Sequence, residues 1–177
     1  MIKRVFLLLI CLFWALPLYA VEQYFIGDIV IEGNQRVNTQ AILDVLSVKP
    51  GQTVMPGEID AELQAIYRLG RFSDVVAAIE DRDGVNTLVF NLTERPLVRK
   101  IRFEGNEELK TDKLQPLVTI RVPGIYDPYE VSRSVDAIKL EYIKEGYYAA
   151  RVTADNHVGE DNESLLTFRI EEGKKVL

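Results

Sequence analysis

Few side chains in this 177-residue chain could do chemistry, and none has a neighbour that would make it reactive. His157, the single histidine, is expected in a turn with no Ser or Cys motif nearby, so it reads as a solvated residue rather than a general base. Cys11 is the single cysteine and lies in an apolar run close to the N-terminus. A mature chain without that run has no disulfide and no thiolate ligand. Glu80-Asp81-Arg82-Asp83 and Glu160-Asp161-Asn162-Glu163 are rich in carboxylates but lack the alternating spacing of a calcium loop, so both read as solvated hairpin tips, as does the pair Glu107-Glu108. Asn91 and Asn162 head short glycosylation-type triplets of the kind chance produces often. Gly33 and Gly105 lie outside any glycine-rich run and make no phosphate loop. No nucleophile–base pair is present, so the reading is not an enzyme, with no catalytic residue, cofactor or metal. The chemistry that remains belongs to the main chain: unpaired N–H and C=O groups along exposed strand edges.

Those edges depend on the elements around them. Glu32-Gly33-Asn34 returns as Glu104-Gly105-Asn106, each time after an apolar-alternating strand and before a Thr placed to cap a helix, Thr39 and Thr111. Asn38 is the alternative cap in the first copy. Pro50-Gly51 returns as Pro123-Gly124, Gly70 as Gly146, and Phe90 as Phe168. The shift between copies grows from one pair to the next, as insertions into loops would make it, and this self-similarity predicts tandem modules. Each copy reads strand, helix, helix, strand, strand. The first helix carries Ile42, Leu43 and Leu46, and the second Ile59, Leu63 and Ile66 beside Tyr67. In the second copy Pro116 interrupts the short helix. Asp127-Pro128-Tyr129-Glu130 then opens a long helix with Val131, Val135, Ile138 and Tyr142 on one face. Asp83-Gly84 and residues 159–162 turn the two hairpins. One register stays open: Val75, Ala77 and Ile79 face the helices, yet alignment on Gly70 and Gly146 pairs Val76 with Val152. Either a bulge sits near Phe72 or the alignment is off by one.

The first residues read as a secretory signal. Lys3 and Arg4 precede an apolar run over residues 5–16, Pro17 breaks it, and Ala20 offers a cleavage point. The run is shorter than the ~20 residues a membrane-spanning helix needs. Of 21 basic residues those two lie in the signal; the remaining 19 stand against 27 acidic ones, a formal charge of −8. An acidic chain without a basic tract is a poor candidate for nucleic acid or anionic lipid.

Glu-Gly-Asn after a strand, Gly-Arg-Phe-Ser-Asp-Val at 70–75, and Leu-Thr-Glu-Arg-Pro at 92–96 leading into the next module together resemble POTRA domains, most of all the first two of BamA-type outer-membrane β-barrel assembly factors. The likeness covers residues 25–177. It implies an α+β fold of two tandem β-α-α-β-β modules, each a three-stranded sheet covered by two helices. The expected division is a signal peptide at 1–20, one module at 24–95, a second at 96–172, and the start of a following module at 173–177. The resemblance also implies a scaffold at the periplasmic face of the bacterial outer membrane. Its partners would be unfolded outer-membrane proteins and assembly-machine lipoproteins, with the membrane reached through a C-terminal barrel that this chain lacks. On that basis the chain is expected to be an N-terminal fragment. The alternatives are the POTRA region of a related translocation barrel, or a cell-division POTRA protein whose apolar N-terminus stays as an anchor.

The strands after the long helices, residues 73–80 and 149–155, are the expected client-binding edges. They supply Asp74, Val75, Val76, Ala77, Ala78 and Ile79 in the first module and Ala149, Ala150, Arg151, Val152 and Thr153 in the second. An extended client added there is held by main-chain hydrogen bonds that ignore side-chain identity. Arg95-Pro96 is the inter-module joint, either setting the angle or linking passively.

Overall fold

The structure is a computed structural model that describes residues 22–176; the signal peptide expected at 1–20 lies outside the described residues. No helix among the described residues is long and apolar enough to cross a membrane.

The alternation over residues 24–32 gives two short strands, β1 (Tyr24–Ile26) and β2 (Asp28–Glu32), where the sequence predicted one. The chain breaks at Gly27, whose amide turns aside to donate to the Asn86 carbonyl at 2.8 Å. There follow α1 (Thr39–Leu43), β3 (Gln52–Val54), α2 (Pro56–Tyr67), β4 (Phe72–Arg82) and β5 (Val85–Glu94). Strand β5 is central, with β2 parallel to it on one side and β4 antiparallel on the other; β1 and β3 pair separately. The second module repeats the plan with β6 (Leu97–Glu104), α3 (Thr111–Leu114) running into a 3-10 turn (Gln115–Leu117), β7 (Gly124–Ile125), α4 (Pro128–Lys144), β8 (Arg151–Val158) and β9 (Glu163–Glu171). Its sheet order is β7-β6-β9-β8, so the expected three strands gain a two-residue fourth.

Each module has its own core. Ile42, Ile66, Leu88 and Phe90 are fully buried in the first; Leu114, Ile138, Tyr142, Leu166 and Phe168 are in the second. Full burial of one such side chain stabilises by ~1.5–3 kcal/mol, and these clusters hold each sheet to its helices. The helices start where polar groups meet their first amides. Asn38 Oδ1 accepts from Gln40 N at 2.7 Å, and Asp127 Oδ1 accepts from Tyr129 N at 2.9 Å. Pro56 opens α2, with the Glu58 carboxylate accepting from Met55 N at 2.7 Å.

Thr39 and Thr111 are not caps. Each is the first helical residue, and its hydroxyl accepts from the asparagine of the Glu-Gly-Asn turn, at 3.0 Å from Asn34 Nδ2 and 3.3 Å from Asn106 Nδ2. Those amides also donate to the Val37 carbonyl at 2.8 Å and the Leu109 carbonyl at 3.1 Å, closing the loop before the helix. The glycines are demanded twice over. Gly33 and Gly105 have φ +84° and +82°, and a Cβ would lie 2.1 Å from the Leu92 and Ile170 carbonyl oxygens of the neighbouring strand.

A bulge settles the open register. Pairing shifts between Phe72, opposite Glu94, and Asp74, opposite Thr93, leaving Ser73 as the extra residue. Val75 then lies opposite Leu92 as Val152 lies opposite Ile170, and both valines are buried. Val76, half exposed, is not the counterpart of Val152.

Candidate functional site

In an antiparallel ladder both main-chain groups of one residue point to the same side, and the side alternates along the strand. Val75 N donates to the Tyr67 hydroxyl at 3.0 Å, away from β5. Ala77, Ile79 and Asp81 therefore also direct their N–H and C=O outward, while Asp74, Val76, Ala78 and Glu80 bond to β5. The Ser73 hydroxyl donating to the Thr93 carbonyl at 3.2 Å agrees, because Thr93 is then one of the β5 residues facing β4. Strand β4 is terminal in its sheet, as β8 is in the second. Beside the open part of β4 runs a groove of about 450 Å³ lined by Tyr24, Pro56, Ile59, Ala77, Ala78, Ile79, Asn86 and Leu88. Its walls are mostly apolar and include Ala77 and Ile79, two of the residues whose main-chain groups point outward.

Asp74, Val75, Val76, Ala77, Ala78 and Ile79 all lie in β4. In the second module Arg151, Val152 and Thr153 lie in β8, but Ala149 and Ala150 do not. They belong to the turn after α4, where Ala150 N donates to the Tyr147 carbonyl at 3.1 Å. Tyr147 is buried and Tyr148 exposed in that same turn. His157 is an exposed residue of β8 rather than of a turn.

Several carboxylates at the hairpin tips have structural partners. Asp81 accepts from Gly84 N at 2.8 Å, Arg82 bridges Glu32 and Glu80, and Glu163 pairs with Arg99. Two glutamates matter more: Glu94, the last residue of β5, and Glu172, the residue after β9. Glu94 Oε1 accepts from the amides of Gln35, Arg36 and Val37 at 2.7, 2.8 and 2.9 Å, and Arg36 lies 3.3 Å from Oε2. Burial works against its charged form. The three amides and the Arg36 guanidinium outweigh burial, and the carboxyl titrates below the usual glutamate range. Glu172 repeats the brace, accepting from Glu108 N at 2.9 Å, Leu109 N at 3.4 Å and the Tyr142 hydroxyl at 2.8 Å. Burial first, and then this carboxylate, push the Tyr142 phenol far up. Sequence reading missed both braces, and also buried Glu62 and Ser134, which receive the Ser47 and Thr119 amides at 2.9 and 3.2 Å. The matching spacing of these residues in the two copies was the signal available.

At the joint, Arg95 N donates to the Arg71 carbonyl and Tyr126 N to the Pro96 carbonyl, both at 2.8 Å. Asn162, left-handed at φ 56° on the tip of the second hairpin, reaches back between the modules. Its carbonyl accepts from Leu97 N at 3.0 Å and its side-chain amide donates to the Glu94 carbonyl at 3.0 Å. A hollow of about 570 Å³ lies here, lined by Arg36, Leu69, Leu97 and Ile125 among others. It is larger than the groove beside β4.

Residues 24–95 and 96–173 each match the POTRA family, described as surface antigen variable number repeat. The chain is similar to the outer membrane protein assembly factor BamA of Nitratidesulfovibrio vulgaris, at 28% identity over 152 residues, covering 85% of this chain and 19% of that protein. It is also similar to BamA of Neisseria meningitidis serogroup B, at 25% identity over 158 residues, covering 88% and 19%. The chain thus spans about a fifth of the length of these relatives. Among solved structures, the N-terminal domain of Omp85 from Thermosynechococcus elongatus superposes with a TM-score of 0.61 at 24% identity, covering 86% of this chain and 64% of that one. POTRA1-2 of the periplasmic domain of Omp85 from Anabaena gives 0.54 at 17% identity, covering 89% and 100%.

Proposed function

The chain belongs to the POTRA family, and from that premise we propose that its two modules are a periplasmic scaffold for outer-membrane protein assembly. The clients are unfolded outer-membrane proteins, which add as extended segments to the free edges of β4 and β8. Assembly-machine lipoproteins are the further partners, and the setting is the periplasmic face of the outer membrane. The observation that carries this reading is the row of outward main-chain groups at Ala77 and Ile79 beside the apolar groove under α2. The relatives' names as assembly factors supply the client class.

The energetics suit a transient hold. Each main-chain bond nets ~0.5–1.5 kcal/mol, against roughly 4–15 kcal/mol lost on association. One short edge therefore binds weakly, and two edges on one chain add avidity while letting a client move on. The test is crosslinking of an unfolded outer-membrane protein to the edge in the wild type and in Ala77→Pro. Proline at an outward position removes a donor without touching the β5 ladder. Crosslinking should fall in the folded variant; undiminished crosslinking refutes the strand-addition reading.

A further inference from the structure

We propose that Tyr67 is a register stop that sets where a docked strand can begin. This inference rests on the strand-addition reading of β4. Tyr67 is the last residue of α2, and its hydroxyl is fixed twice, accepting from Val75 N at 3.0 Å and donating to Asp74 Oδ1 at 3.1 Å. It therefore closes the first outward N–H after the bulge at Ser73. An incoming chain meets its first free donor at Ala77 and runs on through Ile79 and Asp81, along the stretch that the groove accompanies.

The second module carries no such stop. Ile143 stands three residues before Gly146, as Tyr67 stands before Gly70, and Arg151 precedes Val152 as Asp74 precedes Val75. A hydrocarbon at 143 accepts no hydrogen bond, so Val152 N–H is not closed off in this way. The two edges thus take strands of different reach: β4 a short one starting at Ala77, β8 one that can start at Val152. The partner class for β4 is an extended segment whose side chains alternate, with small or apolar ones facing Pro56 and Ile59.

Amide hydrogen exchange tests the stop. The probe is a ten-residue peptide of alternating valine and threonine with a lysine at each end, added to the wild type and to Tyr67→Phe. The ring stays in the variant and only the hydroxyl goes. In the free variant Val75 N–H should exchange at least tenfold faster than in the wild type. Peptide should protect Ala77 and Ile79 in both proteins, and Val75 in the variant alone. Equal protection limits in the two proteins, or unchanged Val75 exchange in the free variant, overturn the stop while leaving the docking edge intact. Protection of neither Ala77 nor Ile79 in the wild type overturns the edge itself and the stop with it.

Discussion

Arg36 Nη1 donates to the main-chain carbonyl of Asn162 at 3.3 Å, joining the first loop of one module to the last hairpin of the next. Its Nη2 donates to the Arg95 carbonyl at 2.7 Å, so one guanidinium spans the joint from both sides. Arg95 and Pro96 thus lie within a hydrogen-bonded junction. Arg36→Ala should leave each module folded but widen the range of their relative orientation, read as broader residual dipolar coupling distributions or a larger radius of gyration in solution. An unchanged distribution would show that the bond from the Asn162 side-chain amide to the Glu94 carbonyl suffices.

Glu94 gives a pH dependence with a definite sign. Its folded carboxyl lies below the ordinary glutamate value of ~4.3, so its stabilising contribution is complete above that value and is lost as pH falls through the lower folded one. The first module of the wild type should lose stability in acid more steeply than that of Glu94→Gln, with the gap between the two curves closing as pH falls through the lowered folded value. Thermal melts from pH 3 to 7 read the difference. Glu94→Ala, which leaves three loop amides unpaired, should cost ~1–3 kcal/mol at neutral pH.

Gly33→Ala and Gly105→Ala combine a left-handed backbone with a Cβ placed against a carbonyl oxygen. Backbone strain alone costs ~1–2 kcal/mol, and the contact must push the turn away from the last strand. Each variant should lose at least ~2 kcal/mol of stability in urea unfolding. The same change at Gly70, which has open space around it, should cost less.

Proline scanning of β4 should alternate in effect. Ala77→Pro removes an outward N–H and leaves the ladder whole. Ala78→Pro removes a bond to β5 and should destabilise the first module by ~3 kcal/mol or more. Equal losses at the two positions, measured by denaturant unfolding, would contradict the assigned sides.

Much of the fold was legible because its demands fall on residue identity. Only glycine satisfies the turn after β2 and β6, so Glu-Gly-Asn exposed the duplication. Asp127-Pro128 likewise marked the start of α4. Strands β3 and β7 escaped because two or three residues cannot display an alternating pattern. The bulge was legible only as a conflict between a helix-facing set of Val75, Ala77 and Ile79 and the alignment on Gly70 and Gly146. Which residue was extra depended on pairing with β5. The braces at Glu94 and Glu172 were hidden for another reason. A carboxylate at a strand end looks solvated until a loop from far back in the chain folds its amides onto it. Tyr67 was visible beside a helical face, but its bond to Val75 depends on where the next strand passes.

The parallel pairing of β2 with β5, and of β6 with β9, has a consequence for the order of events during synthesis. Each module zips its opening strand to its closing one, while the hairpins β4–β5 and β8–β9 are local. A growing polypeptide can form the hairpin as soon as it appears, but must then recruit a segment made much earlier. The waiting first strand is meanwhile an uncommitted ribbon, so closure of these modules should be slow for their size and begin from the C-terminal hairpin.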